Sequence, residues 1–392
     1  MMQDNIPFPS LDTPAVLLDM GKLETNIREM SQLAAEAGVR LRPHVKVHEC
    51  AEIAKMQIEA GACGIEVGPV AQAEAMAEAG LDDIIIAHPG FYSGPKLETL
   101  KRLLNKPGLK VKVMVDMFEQ AEGISQAGQT AGRKVPVLLK IDTSRDAGGI
   151  QRHGVLPGKP ALNLAKKLCQ LPDIEFAGIY AHEMGAEPTA EGVDKVAFKT
   201  ASIMAETTKI LREEGITVEY VSVGASPTFR ATCHHIKEGK FPEITEIHPG
   251  NCVIGDIMYM RARGNTRETC AVTVLTTVMS TSHPDWAIID AGYKTFGADS
   301  IIGRRETPGF FWRGKPSFGS TQGRPDLWLG SLSAETGHVF YMEPEKKLSP
   351  GERLEIVPNN ATLVINIHDR IYGVRNGVVE RVFKVTGRGR GN

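Results

Sequence analysis

Residues 41–48 read Leu-Arg-Pro-His-Val-Lys-Val-His, a short and mainly apolar run that stops at polar side chains. Such a run is typical of a buried β-strand. An open, doubly wound α/β sheet that binds a dinucleotide usually carries Gly-x-Gly-x-x-Gly after its first strand. This segment contains no glycine, so it favours a closed (β/α)₈ barrel over the open sheet.

Seven further strand candidates follow before residue 250, separated by turns and amphipathic helical segments. The eight strand candidates are residues 41–46, 63–68, 83–89, 110–116, 136–142, 175–181, 218–224 and 243–250. The clearest helical patterns are residues 49–61, 70–80, 94–105 and 191–215. This alternation predicts an α/β chain with a parallel (β/α)₈ TIM-type barrel, and an open doubly wound sheet is the alternative.

The sequence changes character near residue 255. Strand-like segments now follow one another without intervening helices: residues 268–280, 286–290, 338–342, 353–357, 361–367 and 378–385. They predict a mostly antiparallel β domain, with residues 303–330 as a long loop. We therefore expect a barrel over residues 22–250 and a β domain over residues 251–392, which also takes an N-terminal strand from residues 1–21.

The composition excludes several classes of protein. The chain has 392 residues with 45 basic and 47 acidic side chains, a net charge of −2 and 42% apolar residues. A near-neutral charge gives no reason to expect nucleic acid as a partner. No apolar stretch approaches the roughly 20 residues that a membrane span needs, and residues 1–10 lack a signal-peptide pattern. Six scattered cysteines without a Cys-x-x-Cys pair indicate reduced thiols, so we expect a cytoplasmic protein.

Active sites of (β/α)₈ barrels lie at the carboxyl ends of the strands, where the first predicted strand places Lys46. A lysine at the inner end of an apolar strand is costly to bury unless it is paired. One interpretation is a lysine that extends into solvent, and the other is a Schiff-base lysine whose amine attacks a carbonyl. His44 and His48 stand two residues before and after Lys46, so a regular strand places all three on one face.

The loops after the seventh and eighth strands are where such barrels commonly bind a phosphate. Their sequences are Ser222-Val223-Gly224-Ala225-Ser226-Pro227-Thr228 and His248-Pro249-Gly250-Asn251. Glycine lets backbone N–H groups approach the dianion, and polar side chains complete the site. The candidate ligands are Ser222, Gly224, Ser226, Thr228, Gly250 and Asn251. Ordinary turn and N-cap chemistry is the alternative interpretation.

Four segments together carry a resemblance to a known family. They are Thr13–Asp19, Arg42–His48, Asp290–Lys294 and Asn366–Asp369. With them the chain resembles, over nearly its whole length, the D-threonine aldolase and D-serine dehydratase family of pyridoxal-phosphate (PLP) enzymes, which have the alanine racemase-like fold. The resemblance implies a PLP-binding barrel, a β domain, a homodimer, and Lys46 as the residue whose amine binds PLP.

The same resemblance assigns further residues around the cofactor. Arg152 matches an arginine that precedes a small residue and a glycine, and it is expected to face the cofactor ring or its substituents. His182 stands where the family usually has a tyrosine, and it is expected to stack on the ring or act as an acid or base. A surface arginine and a polar strand end are the alternatives. The candidate catalytic residues are Lys46, His44, His48 and His182.

One segment departs from the family. Many members carry a His-x-Cys or His-x-Asp pair in the β domain that binds a divalent metal beside PLP. Asn360 and Thr362 stand at these positions, and neutral amide and hydroxyl oxygens are poor sole ligands for a transition metal. We therefore expect the metal site to be lost or rebuilt. Open candidates for a replacement base or ligand are Glu183, Glu187, His338 and His368.

PLP is an electron sink, and the protein determines which bond to Cα breaks. The resemblance implies a lyase for D-β-hydroxy amino acids, and we expect retro-aldol cleavage to glycine and an aldehyde, as in D-threonine aldolase. Two other reactions stay open: β-elimination from D-serine or 3-hydroxyaspartate, and a metal-independent racemase-type reaction. A non-catalytic PLP carrier is disfavoured because such carriers resemble the bare barrel. The expected partner is a small-molecule D-amino acid, with no nucleic acid and no membrane.

Overall fold

Eight parallel strands form the core of the barrel that the sequence predicts. The computed structural model describes residues 7–147, 153–183, 185–299, 317–343 and 345–391. After an N-terminal strand, β1 (Ala15–Asp19), the barrel strands are β2 (Arg40–Leu41), β3 (Ile65–Val67), β4 (Asp83–Ile86), β5 (Lys110–Val115), β6 (Val135–Lys140), β7 (Ile174–Ala181), β8 (Tyr220–Val223) and β9 (Glu246–Ile247).

The order of these strands is β2-β9-β8-β7-β6-β5-β4-β3. The two ends of this order are joined by backbone hydrogen bonds. The N–H groups of Cys63 and Glu66 donate to the carbonyls of Leu41 and Pro43, each over 2.9 Å. The sheet therefore closes, which confirms the (β/α)₈ barrel over the open sheet.

Helices alternate with the barrel strands and pack against them. They are α1 (Met20–Ala37), α2 (Ala51–Glu59), α3 (Val70–Glu78), α4 (Gly94–Leu104), α5 (Phe118–Ala131), α6 (Ser144–Ala147), α7 (Lys159–Leu168), α8 (Ala190–Glu213) and α9 (Phe229–Lys237). The four helices predicted from periodicity are confirmed as α2, α3, α4 and α8. Within the described ranges, no helix combines the length and the apolar character that crossing a bilayer requires.

Nine strands form a second, mostly antiparallel sheet. Besides β1 they are β10 (Val272–Ser280), β11 (Trp286–Ile289), β12 (Gly319–Thr321), β13 (Leu327–Leu332), β14 (Gly337–Tyr341), β15 (Arg353–Pro358), β16 (Arg370–Arg375) and β17 (Val378–Lys384). Three short helices accompany them: α10 (Ile257–Arg261), α11 (Tyr293–Phe296) and α12 (Ala361–Ile367). The mostly antiparallel β domain is thus confirmed, while the bounds predicted for the two domains stay a prediction.

The N-terminal strand belongs to this second sheet, where β1 lies between β10 and β16. Asp19 ends β1, and its carboxylate accepts a 2.9 Å hydrogen bond from the backbone N–H of Lys22. That bond caps the start of α1, which satisfies one of the N–H groups that a helix leaves unpaired. The chain therefore passes from the β domain into the barrel at a single residue.

Two predicted elements of the β domain are wrong. Residues 361–367 were expected as a strand because they are rich in β-branched residues, but they form α12. The side chain of Asn360 accepts hydrogen bonds from the N–H groups of Thr362 and Leu363, and this cap starts a helix. The loop predicted over residues 303–330 contains β12 and β13 in its described part, and residues 300–316 lie outside the described residues.

Candidate active site

A cavity of about 230 Å³ opens at the carboxyl ends of the barrel strands. Its lining residues are His44, Lys46, Glu66, Ala87, His88, Lys140, His153, Tyr180, His182, Met258 and Tyr259. Most of them follow or end a barrel strand, and the last two come from α10. Ionisable side chains dominate this lining, and the cavity lies where (β/α)₈ barrels carry their active sites.

Lys46 lies on a single 3₁₀ turn, Val45–Val47, rather than on a strand. The first barrel strand ends at Leu41, so the strand predicted over residues 41–46 is too long. His44 starts the turn, since its Nδ1 accepts a 3.4 Å hydrogen bond from the backbone N–H of Lys46. The half-buried Lys46 side chain lines the cavity from this turn.

The expectation that His44, Lys46 and His48 share one face is wrong, because the turn replaces the two-residue repeat of a strand. His48 is fully buried and does not line the cavity. Its Nδ1 accepts a hydrogen bond from the N–H of Cys50, and its Nε2 lies 3.3 Å from Oε1 of Gln57. Burial lowers the pKa of His48 to about 4. His48 therefore packs against the start of α2, outside the candidate site.

His44 and Glu66 form one wall of the cavity. The Nε2 of His44 lies 3.5 Å from Oε1 of Glu66, and the hydroxyl of Tyr180 donates a 2.8 Å hydrogen bond to the same oxygen. Burial raises the pKa of Glu66 to about 8, although Tyr180, Lys46 and Lys140 act to lower it. Burial, reinforced by Lys46 and neighbouring histidines, holds the pKa of His44 well below its usual range. Both groups therefore favour their neutral forms near pH 7.

Buried polar atoms at this end of the barrel that have no hydrogen-bond partner in the described part of the chain include Oε2 of Glu66 and Nε2 of His248. The His248 ring stacks on Tyr180 with ring centres 4.1 Å apart, and its Nδ1 lies 2.8 Å from Oγ of Ser222. A buried polar atom without a partner costs about 1–3 kcal/mol. A ligand-binding or catalytic role is one reason for a protein to keep such atoms.

The loops after β8 and β9 meet at Ser226. Its Oγ accepts hydrogen bonds from the N–H groups of Gly250, over 3.2 Å, and Cys252, over 3.1 Å. The two N–H groups thus hold the hydroxyl oxygen, and the hydroxyl also forms a hydrogen bond with the Cys252 side chain. Asn251 lies between these two residues, and its Oδ1 is buried without a partner among the described residues. These four residues form what we call the cradle: Ser226, Gly250, Asn251 and Cys252.

Two positions at or next to the cradle require glycine, because a side chain there would clash with neighbouring backbone. Gly224 has φ of +135°, a conformation that favours glycine, and a Cβ there meets the backbone N of His248 at 3.2 Å. A Cβ on Gly250 meets the carbonyl oxygen of His44 at 2.8 Å, closer than real contacts allow. Both glycines thus let backbone segments pack closely: Gly224 against His248, and Gly250 against His44.

Two predicted phosphate ligands are corrected, because their hydroxyl groups are used elsewhere. Ser222 lies on β8, and its Oγ contacts Nδ1 of His248 and, over 3.3 Å, Oε1 of Glu246. Thr228 precedes α9, and its hydroxyl donates to the carboxylate of Glu183. Neither side chain belongs to the cradle.

His182 lines the cavity just after β7. Its Nδ1 lies 3.2 Å from the carbonyl oxygen of Gly224. Since a carbonyl only accepts, Nδ1 carries the proton, and Nε2 is the basic nitrogen of the neutral ring. The His182 ring is 6.0 Å from the ring of His248. Arg152, which the family resemblance placed near the cofactor, lies outside the described residues.

The sequence interpretation missed several cavity residues. Glu66 lies within β3 and Lys140 ends β6, so each is a polar residue in an apolar run, a signal that was available. His88 follows β4, and its ring lies 6.4 Å from the ring of His153. Tyr259 offers no comparable signal, because α10 brings it to the cavity from a segment beyond the last barrel strand.

The positions of the family's metal ligands do not fit a transition metal in this chain. The Oδ1 of Asn360 caps α12, and its Nδ2 donates a 2.9 Å hydrogen bond to Asp299. Thr362 offers only a hydroxyl. Within the described ranges, no group of three or more His, Cys, Asp or Glu side chains is arranged to hold a metal ion. His368 lies 3.2 Å from the carbonyl of Thr295, and Glu183 is buried behind α9.

Comparison with known proteins places the chain in a family. The family described as "Alanine racemase, N-terminal domain" matches residues 18–257, and the one described as "Putative serine dehydratase domain" matches residues 271–374. D-threonine aldolase from an Arthrobacter species is 32% identical over 395 residues, which cover 99% of this chain and 95% of the relative.

Two solved structures extend this similarity to the whole fold. D-threonine aldolase from Filomicrobium marinum has a TM-score of 0.82 at 29% identity, covering 98% of both chains. D-threo-3-hydroxyaspartate dehydratase from Delftia sp. HT23 has a TM-score of 0.81 at 25% identity, covering 97% of this chain and 99% of that one. The chain therefore belongs to the D-threonine aldolase and D-serine dehydratase family, whose members are PLP-dependent lyases of D-amino acids with an alanine racemase-like fold.

Proposed function

We propose that this protein is a PLP-dependent lyase that cleaves D-β-hydroxy amino acids by the D-threonine aldolase reaction, giving glycine and an aldehyde. The observation that carries the proposal is the shared cavity of one half-buried amine, Lys46, and the imidazoles of His44 and His182. Membership of the family supports the lyase class, and the chemistry of the side chains supports aldol cleavage within it.

The residues present fit PLP. Lys46 offers an amine for the aldehyde carbon, whereas the other lysine of the cavity, Lys140, is buried over the ring of Tyr180 at 5.4 Å. The cradle offers a hydroxyl donor, Ser226, next to glycine backbone for a phosphate. When bound, PLP supplies an electron sink for the bond that breaks at Cα.

The side chains of this chain have distinct parts in the proposed reaction. The basic Nε2 of His182 takes the proton of the β-hydroxyl group, which lets the Cα–Cβ bond break and the aldehyde leave. A general base of this kind contributes about 10²–10⁴ in rate. His44 uses Nδ1 for the N–H of Lys46 and Nε2 toward Glu66, so we assign it to holding the Lys46 turn in place.

The leaving group favours cleavage over elimination. β-Elimination expels hydroxide, a poor leaving group that needs an acid or a Lewis-acidic metal. The residues at the family's metal positions, Asn360 and Thr362, do not supply metal ligands. Retro-aldol cleavage releases a neutral aldehyde. It needs a base for the β-hydroxyl proton and a proton for Cα of the product glycine, and His182 holds that proton after the cleavage. Elimination is the second candidate, favoured by the match of residues 271–374 to the dehydratase domain.

Product identification tests the proposal. The protein, loaded with PLP, is incubated with D-threonine, D-serine and D-3-hydroxyaspartate, and the products are separated. We expect glycine and acetaldehyde from D-threonine. Ammonia with a 2-oxo acid contradicts cleavage and supports elimination, and conversion to L-allo-threonine alone, by inversion at Cα, supports a racemase. His182→Gln, which removes the base, is expected to lower kcat about 10²-fold or more while PLP stays bound.

We also propose a homodimer in a reducing compartment such as the cytoplasm. The resemblance to the family supports the dimer, and the six free cysteines support the compartment. Light scattering of the purified protein measures the mass directly. A species of one chain, 42.6 kDa, contradicts the dimer.

A further inference from the structure

A buried carboxyl group supports the segment beside the cradle from behind. Glu183 follows β7 and is only 4% exposed. Its side chain accepts hydrogen bonds from the hydroxyls of Thr228 and Thr232 and from the backbone N–H of Ala225. All three donors belong to the segment that runs from β8 into α9, which also contains Gly224 and Ser226.

This network accommodates Glu183 with or without its proton. The hydroxyl of Thr228 lies 3.2 Å from the carbonyl of Ala225, and that of Thr232 lies 3.2 Å from the carbonyl of Thr228. A charged Glu183 accepts from both hydroxyls. A neutral Glu183 donates its proton to Thr228, which then donates to Ala225. The segment keeps its hydrogen bonds in both states, and the two states differ in charge.

We propose that Glu183 is a positioning residue for the phosphate of the cofactor, acting through the Ala225–Thr228 turn, and that its proton makes phosphate affinity depend on pH. The inference rests on the proposed cofactor. A neutral Glu183 holds the turn without opposing a dianion, while a charged Glu183 holds the same turn and repels a phosphate bound beside it. Cofactor affinity is therefore highest when the carboxyl group is protonated.

Burial raises the pKa of Glu183 to about 8, against the lowering effect of its three hydrogen bonds. The titratable groups that face it are Tyr180 on β7 and Cys233 on α9, and burial raises the pKa of both, so both are neutral near pH 8. Binding a dianion raises the pKa of Glu183 further. Affinity for phosphate is thus full below pH 8 and falls as the pH rises from 8 to the pKa of the complex.

The test compares PLP with pyridoxal, which lacks the phosphate but offers Lys46 the same aldehyde. Dissociation constants of both ligands are measured on the cofactor-free protein from pH 6.5 to 9.5 by absorbance and fluorescence, for the wild type and Glu183→Gln. The preference of the wild type for PLP over pyridoxal should fall above pH 8. The fall should be roughly tenfold for each unit by which the bound phosphate raises the pKa of Glu183. In Glu183→Gln, whose amide mimics the neutral acid, the preference should stay constant.

Two further variants separate positioning from charge. Thr228→Val removes the hydroxyl that joins Glu183 to the turn, so it should weaken PLP at every pH and leave pyridoxal unaffected. Glu191→Gln makes the same charge change at an exposed residue in the first turn of α8 and should behave as the wild type. Identical pH profiles for the wild type and Glu183→Gln overturn the inference.

The outcomes also separate this inference from the proposed function. A wild-type protein that binds neither PLP nor pyridoxal refutes the proposed cofactor. A wild-type protein that binds PLP with a constant preference over pyridoxal from pH 6.5 to 9.5 refutes only the role of Glu183. The wild-type ratio carries this test by itself if Glu183→Gln does not fold.

Discussion

The two ends of the barrel interior hold similar side chains in different ways. At the floor, the guanidinium of Arg42 is 2% exposed and contacts Glu246 over 3.0 Å and Asp83 over 2.7 Å. Lys112 adds a 3.2 Å contact to Asp83. At the mouth, Nε2 of His44 lies 3.5 Å from Oε1 of Glu66. Burial nevertheless lowers the pKa of His44 and raises that of Glu66, so both groups favour their neutral forms.

This difference indicates that the charged groups at the floor stabilise the fold, whereas the polar groups at the mouth serve the candidate active site. The floor residues pair completely, and nearby carboxylates hold the pKa of Arg42 above its usual value despite burial. The mouth keeps neutral groups and, among the described residues, unpaired atoms on Glu66 and His248. A buried polar group without a partner is costly, and a ligand-binding or catalytic role is one reason for a protein to keep such groups.

The largest effect is expected at the mouth. Lys46→Ala removes the amine that binds the cofactor, so activity should fall by roughly 10³-fold or more. The absorbance of bound PLP should disappear, and because the half-buried Lys46 side chain lines the cavity, unfolding of the cofactor-free protein should change little. A Lys46→Ala variant that keeps the absorbance band of bound PLP contradicts the assignment of Lys46 as the amine that binds the cofactor.

A substitution at the floor should lower the free energy of unfolding rather than the activity. Arg42→Met leaves the buried Glu246 with only a 4.0 Å contact to Arg40, and leaves Asp83 with only Lys112. Breaking this buried network should cost about 3–5 kcal/mol in the free energy of unfolding. Urea denaturation of the cofactor-free protein measures this cost. Arg230→Met, which breaks the more exposed pair with Glu29, is the matched control and should cost less than about 1 kcal/mol. Equal costs would mean that the floor network is not structural.

An intermediate effect is expected at the cradle. Ser226→Ala removes the hydroxyl that joins the loops after β8 and β9 and that we propose as a donor to the phosphate. Hydrogen bonds to charged groups are worth about 1.5–3 kcal/mol, so PLP affinity should fall roughly 10- to 100-fold. Pyridoxal should bind as before. A parallel loss of pyridoxal affinity indicates a general distortion of the mouth rather than a phosphate contact.

A smaller effect is expected where the two regions adjoin. Tyr180→Phe removes a donor to Glu66 and should cost about 1 kcal/mol. The pKa of Glu66 is raised on folding, so its stabilising contribution is complete below its unfolded pKa and is lost as the pH rises through about 8. Without Tyr180 this pKa rises further, so the loss should extend above pH 8 in unfolding curves. Tyr220→Phe, half-buried on β8, should give a constant shift across the same range.

The smallest effect is expected from metal removal. Asn360 and Thr362 supply a helix cap and a hydroxyl where the family carries metal ligands, so EDTA should change the cleavage rate by less than about twofold. The rate is measured before and after chelation and again with added Mn²⁺. Strong inhibition that Mn²⁺ reverses contradicts this interpretation of residues 360–362.

Hydrophobic patterning was sufficient for the barrel because its strands are covered on both faces and its helices on one. The same rule failed at residues 361–367, where β-branched composition favoured a strand. The cap formed by Asn360 and the packing of Val364 and Ile365 against the core outweighed it. Local composition is a weak guide when a tertiary contact selects the other structure.

The candidate site could be predicted in part. The strand-end rule placed Lys46 and His182 at the mouth, where they line the cavity, because the position along a strand determines which end of the barrel a residue occupies. It also proposed Ser226, Gly250 and Asn251 of the cradle, but not Cys252. It misplaced His48 and Ser222, since it says nothing about turns or about which side a hydroxyl faces. Glu66 was missed because a single acid within an apolar run was taken as part of the strand.

The position of β1 has a consequence for how the chain is made. β1 is synthesised first, yet its partners β10 and β16 follow about 250 residues or more later, which takes roughly 10–50 s of translation. During this time the nascent chain carries an apolar strand whose edges are unpaired, a recognised cause of aggregation. Deletion of β1 should therefore reduce the soluble yield, because β10 and β16 are then left without the strand that lies between them.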